Sequence, residues 1–430
     1  MGSGAVSSEA KGRTGIVNMD VYVIGGGPSG LAAGAELRRR GMHPVILERG
    51  EQVGTSWRAG YDRLHLHTVR GLSGLPGFGI PRAAGRWPSR DDVIDYLERY
   101  RARHELEVRA STEVERIATA QAQDGDGVRW VIHTTAGERL PARSVVVATG
   151  HAHTPYVPDW PGRESYTGQL RHAREYRNPV PFAGLDVLVV GVGNSGSEIA
   201  TDLSEGGARR VWIAVRTPPQ IVRRNLGGWP AHATGILISR LPAALVDPVA
   251  RLQRRLTIPD LTRYGIPQPD DGLLSRVRCS GEVPLLDVGF VGAVRNGKVT
   301  PVAAVTGFDG DSVLLADGSG ITPQAVIAAT GYRRGLETLV GQLGVTDERG
   351  MPTVRGGLPA APGLFFIGYA VSLRGMLRDI ATEARRVAPA VVRDYRLQAS
   401  RVETRIGDYG TRRRTTRRNT RRNRTIGIKL

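Results

Sequence analysis

The sequence predicts an α/β fold with two Rossmann-like dinucleotide-binding units, the second inserted into a discontinuous first unit. Two stretches, 21–30 and 187–196, each combine an apolar strand pattern, a glycine turn and a helix start. A strand pattern ending in Ala-Thr-Gly also occurs twice, at 144–150 and 325–331, and the second copy suggests a return to the first unit. We therefore predict a leader at 1–18, the first unit at 19–160 and 291–396, the inserted unit at 161–290 and a tail at 397–430.

The first glycine motif has the spacing of a dinucleotide-binding turn. Gly25 permits the tight turn, Gly27 lets backbone N–H groups approach a pyrophosphate, and Gly30 lets the helix pack closely on the strand. Ser29 lies in the same turn, and Glu48 ends the next strand, where a carboxylate accepts hydrogen bonds from a ribose and disfavours a 2′-phosphate. The alternative is a glycine turn without a ligand.

The second motif repeats this pattern with Gly191, Gly193, Asn194, Ser195 and Gly196, and it predicts a second nucleotide site.

About twenty residues beyond this motif, the position that carries an acid in the first unit carries Arg216. A guanidinium there suits a 2′-phosphate, so the second nucleotide is predicted to be NADPH rather than NADH. Arg223 and Arg224 either extend this phosphate clamp or are solvated surface charges.

Composition narrows the class of protein. The chain has 430 residues and one cysteine, Cys279, which excludes an internal disulfide and a CxxC redox pair and favours a reducing, cytoplasmic location. Residues 1–18 lack the apolar core of a signal peptide and are interpreted as a disordered leader, and no membrane-spanning run is evident.

The net charge of +18 is concentrated at one end. Residues 401–430 contain ten Arg and one Lys but only two acidic residues, and the arginine clusters at 412–422 lie among Thr and Asn without apolar residues. Such a segment is typical of a disordered, solvated tail, and an arm that binds RNA or an acidic surface is the alternative.

Between the motifs, several segments carry weaker signals. Residues 51–58 show no helical period and end in Trp57 and Arg58, which we assign to a loop over a flat cofactor, with Trp57 as an ordinary core residue the alternative. His65 and His67 would share one face of a strand and are metal ligands, structural histidines or flavin-facing groups; without a partner cluster we predict no metal site.

The remaining pattern predicts further elements of secondary structure. Helices are expected at 91–101, with Ser89 as N-cap, and at 376–392; residues 226–260 pack as helices or line a substrate entrance. The stretches around 106–108 and 128–133 are expected to be antiparallel strands, and 311–318 resembles a hairpin.

With these motifs in view, residues 20–392 resemble the class B flavin-dependent monooxygenases, and most closely the group that contains the plant YUCCA enzymes. The most specific match is residues 166–176, which are similar to the family's F-x-G-x-x-x-H-x-x-x-[FY] signature with Tyr166 in place of Phe. His67 stands where animal flavin monooxygenases carry an asparagine near the flavin, and we assign it a catalytic role on that basis.

The resemblance implies an FAD- and NADPH-dependent monooxygenase. NADPH would reduce the FAD, and O₂ would react at flavin C4a to give a (hydro)peroxide that oxygenates a small organic molecule, either a 2-oxo acid that loses CO₂ or an N or S nucleophile. The alternatives are an NADPH-dependent reductase or oxidase that releases H₂O₂, and a flavoprotein that acts mainly through an RNA-binding tail.

Overall fold

The computed structural model describes residues 21–125 and 127–398. The predicted leader at 1–18 and the arginine-rich tail from residue 399 onward lie outside the described residues.

The strands are, in chain order, β1 (Val21–Ile24), β2 (Val45–Leu47), β3 (Glu107–Arg109), β4 (Val114–Thr119), β5 (Trp130–Thr134), β6 (Arg139–Ala142), β7 (Ser144–Val147), β8 (Thr154–Pro155), β9 (Gln169–His172), β10 (Asp186–Val190), β11 (Arg210–Ala214), β12 (Ile221–Arg223), β13 (Asn225–Leu226), β14 (Trp229–Pro230), β15 (Leu285–Asp287), β16 (Thr300–Val302), β17 (Val305–Asp309), β18 (Ser312–Leu315), β19 (Gly320–Ile321), β20 (Ala325–Ala328), β21 (Tyr332–Arg333) and β22 (Leu364–Phe366).

The α-helices are α1 (Pro28–Arg38), α2 (Thr55–Arg58), α3 (Arg90–Arg103), α4 (Asn194–Glu205), α5 (Ala231–Ile238), α6 (Ala243–Thr257), α7 (Leu273–Ser280), α8 (Phe290–Arg295), α9 (Leu336–Val340) and α10 (376–398).

The first sheet is parallel and has the strand order β22-β7-β1-β2-β3. The expectation that the segment around residue 107 is antiparallel is wrong, because β3 pairs in parallel with β2. The reason is the connection: α3 lies between β2 and β3, and a helical crossover brings the chain back to start a parallel strand. The other predicted strand, β5, is antiparallel to its neighbours β4 and β6.

The second sheet is also parallel, with the order β16-β11-β10-β20-β9. Here the expected return to the first unit from residue 291 is wrong. The strand β20 pairs with β10 of the second motif, so the Ala-Thr-Gly ending marks the strand beside the glycine strand in each unit separately.

The crossing point between the units is visible in the pairing of two short strands. β8, which leads into the second sheet, pairs antiparallel with β21, which follows that sheet's last strand. The chain therefore rejoins the first sheet only after residue 333, through β22, which pairs with β7.

The close approach of helix and strand has the same geometry in both units. A Cβ placed on Gly30 would lie 1.8 Å from the carbonyl oxygen of Gly25, and one placed on Gly196 would lie 1.9 Å from that of Gly191. Gly25 and Gly191 both have φ of +107°, which an L side chain rarely adopts. Gly25 and Gly191 thus make the tight turns, and Gly30 and Gly196 allow each helix to pack closely on its strand.

Several helices agree with the sequence pattern. Ser89 caps α3, and its hydroxyl and the Asp92 carboxylate form a reciprocal capping box. The predicted helix at 376–392 is present and extends to residue 398 of the described chain. Residues 226–260 contain α5 and α6, whereas the predicted loop before Arg58 contains the short helix α2. Within residues 21–125 and 127–398, no helix has both the length and the apolar character needed to cross a bilayer.

Candidate functional site

A cavity of about 990 Å³ lies at the carboxyl ends of the strands of the first sheet. Its lining includes the end of β1, the glycine turn, the start of α1 and the end of β2. Asn194, at the start of α4 in the second unit, also lines it. Ligands of open parallel sheets bind at this edge, so the cavity lies where a dinucleotide cofactor is expected. Of the sequence-predicted residues, the structure brings seven together here: Gly25, Gly27, Ser29, Glu48, Trp57, His67 and Asn194.

The first glycine turn forms an open cradle. Gly27 precedes α1, and a Cβ placed on it would meet no atom within 4 Å, so this face of the turn is free to contact a ligand. The N-terminus of α1 starts at the same point and favours an anion. These residues fit a pyrophosphate.

Glu48 is buried beside this cradle. One carboxylate oxygen accepts a hydrogen bond from the Gly26 N–H (2.6 Å), and the other accepts from the Gly50 N–H and the Thr55 hydroxyl (2.8 and 2.9 Å). Three donors hold the carboxylate in one orientation at the edge of the cavity. A carboxylate has about four acceptor sites, so one stays available for a ribose hydroxyl.

The second glycine turn repeats the open cradle. Gly193 precedes α4, and a Cβ placed on it would also meet no atom within 4 Å. The side chain of Asn194 is fixed from both ends, because its amide donates to the Pro284 carbonyl (3.1 Å) and its oxygen accepts from the Leu286 N–H (2.8 Å). Ser195 is exposed next to it. The turn itself, Gly191–Gly193, lies outside the lining of the large cavity.

The arginines that were predicted to bind the 2′-phosphate differ in their exposure to solvent. Arg216 is exposed and follows the end of β11 by two residues. Arg224 is half-buried, and its guanidinium lies 4.6 Å from the ring centroid of Trp87, a residue of the first unit. Burial lowers the pKa of Arg224, and the charge of Glu198 opposes that shift. Arg223 is exposed like Arg216, but its Nε donates a hydrogen bond to the Thr257 carbonyl (2.7 Å).

A buried carboxylate links the two units directly behind His67, which lines the cavity. Glu198, on α4, accepts a hydrogen bond from the Tyr61 hydroxyl (2.6 Å) and contacts His67 Nε2 (3.0 Å) with its other oxygen. Burial, and then the Glu198 charge, raises the pKa of Tyr61 well above its ordinary value, so this phenol stays a hydrogen-bond donor. His67 Nε2 faces this carboxylate, and the other ring nitrogen, Nδ1, is buried without a hydrogen-bond partner among the described residues.

Two predicted residues are turned away from the cavity. Arg58 donates to the Val53 carbonyl (3.0 Å) and pairs with Glu98, and it lines a separate surface depression. His65 is exposed, and its Nδ1 lies 2.7 Å from the carbonyl oxygen of Arg63. It therefore does not share the cavity with His67. Across residues 21–125 and 127–398, no group of three His, Cys, Asp or Glu side chains is placed to hold a metal ion. Trp57 is half-buried at the cavity wall.

The sequence reasoning assigned no role to three groups at this site. Gly368, which has φ of +86°, lies so close to Ser29 that a Cβ there would be 2.1 Å from its hydroxyl oxygen. The Gly368 N–H donates to buried Glu383 (2.8 Å), and burial raises the pKa of that carboxyl. His151 lines the cavity, and burial, followed by the charge of Arg334, lowers its pKa to about 4.

Glu198 is the third group, and a sequence signal for it exists. It is an acid placed among the apolar residues of the helix that follows the second glycine turn, on the face that becomes buried. Buried carboxylates are rare unless they have partners, so such a position predicts a partner from another segment.

Comparison with known proteins adds to this geometry. A family model described as pyridine nucleotide-disulphide oxidoreductase matches residues 22–225. Indole-3-pyruvate monooxygenase YUCCA1 of Oryza sativa subsp. japonica is 33% identical over 366 residues, which cover 83% of this chain and 87% of that protein. The probable indole-3-pyruvate monooxygenase YUCCA1 of Arabidopsis thaliana is 32% identical over 380 residues and covers 87% and 90%.

Solved structures point the same way. The flavin-containing monooxygenase from Stenotrophomonas maltophilia is 29% identical, with a TM-score of 0.64, over 86% of this chain and 98% of that one. The two glycine cradles, the cavity at the sheet edge and these relatives together lead to one conclusion. The chain belongs to the flavin-dependent monooxygenase family, whose members are FAD- and NADPH-dependent oxidoreductases.

Proposed function

We propose that this protein uses NADPH and O₂ to oxygenate a small organic molecule, with FAD held by the first glycine turn and NADPH by the second. The observation that carries the proposal is that Asn194 of the second motif lines the same cavity as Gly27 and Glu48 of the first. When bound, the flavin would supply the transfer of electrons from NADPH to O₂. The chain's own residues hold, orient and enclose the reactants.

The individual assignments follow from the contacts. Gly25, Gly27, Ser29, Gly30 and Glu48 would hold FAD, since the open cradle and the fixed carboxylate suit a pyrophosphate and a ribose.

Trp57 would cover FAD from the cavity wall. Gly191, Gly193, Ser195 and Gly196 would form the corresponding turn for NADPH, with Arg216 on its 2′-phosphate. Neither Arg58 nor Arg224 gains support as a cofactor ligand, because each is engaged by a neighbouring side chain.

We also propose His67 as the proton-handling residue. His67 lines the cavity, its Nε2 is held by Glu198, and its Nδ1 is buried without a partner among the described residues. A histidine fixed by a carboxylate at one nitrogen can accept or donate a proton at the other. Glu198 is then the positioning residue, because it orients the ring without touching the reactants.

Two substrate classes are retained in the proposal. The plant relatives are named indole-3-pyruvate monooxygenases, which favours a 2-oxo acid that is decarboxylated as it is oxidised. The other class is a soft N or S nucleophile. The part of the cavity beyond the glycine turn is lined by apolar residues of α5, α6 and the turn between them, among them Ile238, Leu241 and Val246, and suits an apolar group in either class. The cytoplasmic location and the alternative RNA-binding tail stay predictions from sequence.

The first experiment measures coupling. The purified protein is reduced with NADPH without oxygen, then mixed with O₂ and either indole-3-pyruvate or an alkyl thioether, and product and H₂O₂ are quantified. We expect fast reduction of the FAD and product formed in near-equal amount to the NADPH oxidised. Stoichiometric H₂O₂ without product from either compound would support the reductase or oxidase alternative instead.

A second test compares valine at the two open cradles. Gly27→Val is expected to yield folded protein without FAD, because the side chain would occupy the pyrophosphate position, while its Cβ meets no atom of the described residues within 4 Å. Gly193→Val is the matched control: it should retain FAD and lose NADPH binding. Absorbance of purified protein and NADPH titration measure the two outcomes, and a yellow Gly27→Val protein contradicts the assignment.

A third test concerns the choice of nicotinamide cofactor. Arg216→Ala should raise the KM for NADPH about 10- to 100-fold, the value of one lost contact to a charged group, and should leave the KM for NADH nearly unchanged. Arg210→Ala, at the opposite end of the same strand, is the control. Equal changes for both cofactors would remove Arg216 from this role.

A fourth test concerns the carboxylate that links the units. Glu198→Gln turns an amide N–H toward one of two donors and should lower product per NADPH about tenfold or more, with FAD content retained. Tyr61→Phe removes only the hydrogen bond that the Tyr61 hydroxyl donates to Glu198, and it leaves the contact between Glu198 and His67 intact. If both variants lose activity equally, Glu198 supports the fold and not the orientation of His67.

A further inference from the structure

Helices α5 and α6 expose a surface that is both apolar and basic. We call it the α6 patch, and it comprises Leu237, Arg240, Leu241, Leu245, Val249, Arg251, Leu252, Arg255 and Leu256. On α6 alone, Leu245, Val249, Leu252 and Leu256 are 65%, 65%, 58% and 78% exposed. Four large apolar side chains left in water on one helix are a costly arrangement for a protein surface, and contiguous patches of this kind mark interaction sites.

The spacing of these four residues places them on one face. They follow one another at intervals of four, three and four residues, which is the repeat of a single helical stripe. The opposite side of α6 packs on the protein through buried Val246 and Asp247. The exposed stripe is therefore not the face by which α6 packs on the rest of the protein.

The charge beside the stripe has one sign. Arg251 and Arg255 are exposed and one helical turn apart, and Arg240 is exposed just before α6. The one acidic residue of α6, Asp247, is turned inward, where its carboxylate accepts from the Leu274 N–H (2.7 Å) and the Ser275 hydroxyl. Burial, and then the nearby charges of Arg255 and Arg251, lower the pKa of Arg254.

An apolar stripe flanked by arginines distinguishes between three possible partners of the α6 patch: a second copy of the chain, a nucleic acid and an anionic bilayer. A symmetric dimer would place the same patch on both copies and bring Arg251 and Arg255 of each toward the other, with no exposed acid on α6 to neutralise them. A nucleic acid would use the arginines and leave the leucines in water. An anionic bilayer satisfies both parts, because acyl chains take the leucines while lipid phosphates pair with the arginines.

We propose that the α6 patch docks this protein on the surface of a membrane that contains anionic lipids. The helix would lie in the plane of the interface, with its stripe among the upper acyl chains and its arginines at the headgroups.

The patch also meets the cavity. Leu245 and Val249 are exposed and at the same time line the cavity, so the cavity opens within the docking surface. Leu252 and Leu256 do not line it, which allows docking to be altered without touching the cofactor site.

The test measures sedimentation of the full-length, FAD-loaded protein with phosphatidylcholine vesicles that do or do not contain phosphatidylglycerol. Leu252→Ser combined with Leu256→Ser should weaken binding to the anionic vesicles about tenfold or more. The basic tail would also bind such vesicles, so the comparison is repeated at high salt, where charge attraction is screened and burial of leucine is not. Val180→Ser combined with Leu314→Ser, which removes exposed apolar side chains elsewhere, should change binding little.

A second pair tests the charges. Arg251→Gln combined with Arg255→Gln should reduce the preference for anionic vesicles at least about fivefold, whereas Arg295→Gln on α8 should not. FAD absorbance confirms that each variant is folded. The proposal is overturned if the wild-type protein stays in the supernatant, if the leucine variant binds as tightly as wild type at both salt concentrations, or if light scattering shows a dimer that only the leucine variant loses.

Discussion

Everything at this site depends on how closely a helix can approach the strand that precedes it. The carbonyl oxygen of Gly25 lies where a Cβ of residue 30 would be, and the carbonyl of Gly191 stands in the same relation to residue 196. That contact exists only without side chains, and it aims the helix N-terminus at the carboxyl edge of the sheet. The open faces of Gly27 and Gly193 belong to these same turns, and Glu48 is held beside the first of them by the Gly26 N–H.

A second constraint joins the units. Glu198 lies on the helix of the second glycine motif, but its carboxylate contacts Tyr61 and His67. Both of these residues belong to the first unit, before the chain crosses to the second at β8. Burying a carboxylate is unfavourable unless donors compensate, so the two units are held in the one arrangement that supplies both donors. The same arrangement places His67 in the lining of the cavity. Orientation of the units and orientation of the histidine are thus one structural feature.

The sequence predicted the parts of the site that backbone chemistry dictates. Glycine spacing located both turns, apolar periodicity located α3, and a composition rich in Ala, Arg and Val located α10, because these signals are local. Strand partners were predicted less well, since β20 pairs with β10 through contacts far apart in the chain, and an Ala-Thr-Gly ending looks alike in either sheet. Arg58 and Glu198 show the same limit for side chains: their partners, Glu98 and His67, are set by tertiary packing.

The order in which the strands occur along the chain has a consequence for how the protein is made. Four strands of the first sheet occur by residue 147, but the fifth, β22, begins at residue 364, after the whole second sheet. Gly368, which closes on Ser29, and Glu383, which holds Gly368, come later still. A chain leaving the ribosome can therefore assemble the inserted unit while the first sheet still lacks its edge strand. The cavity at the carboxyl edge of the first sheet, which Gly368 helps to line, is therefore completed only after the whole inserted unit has been synthesised.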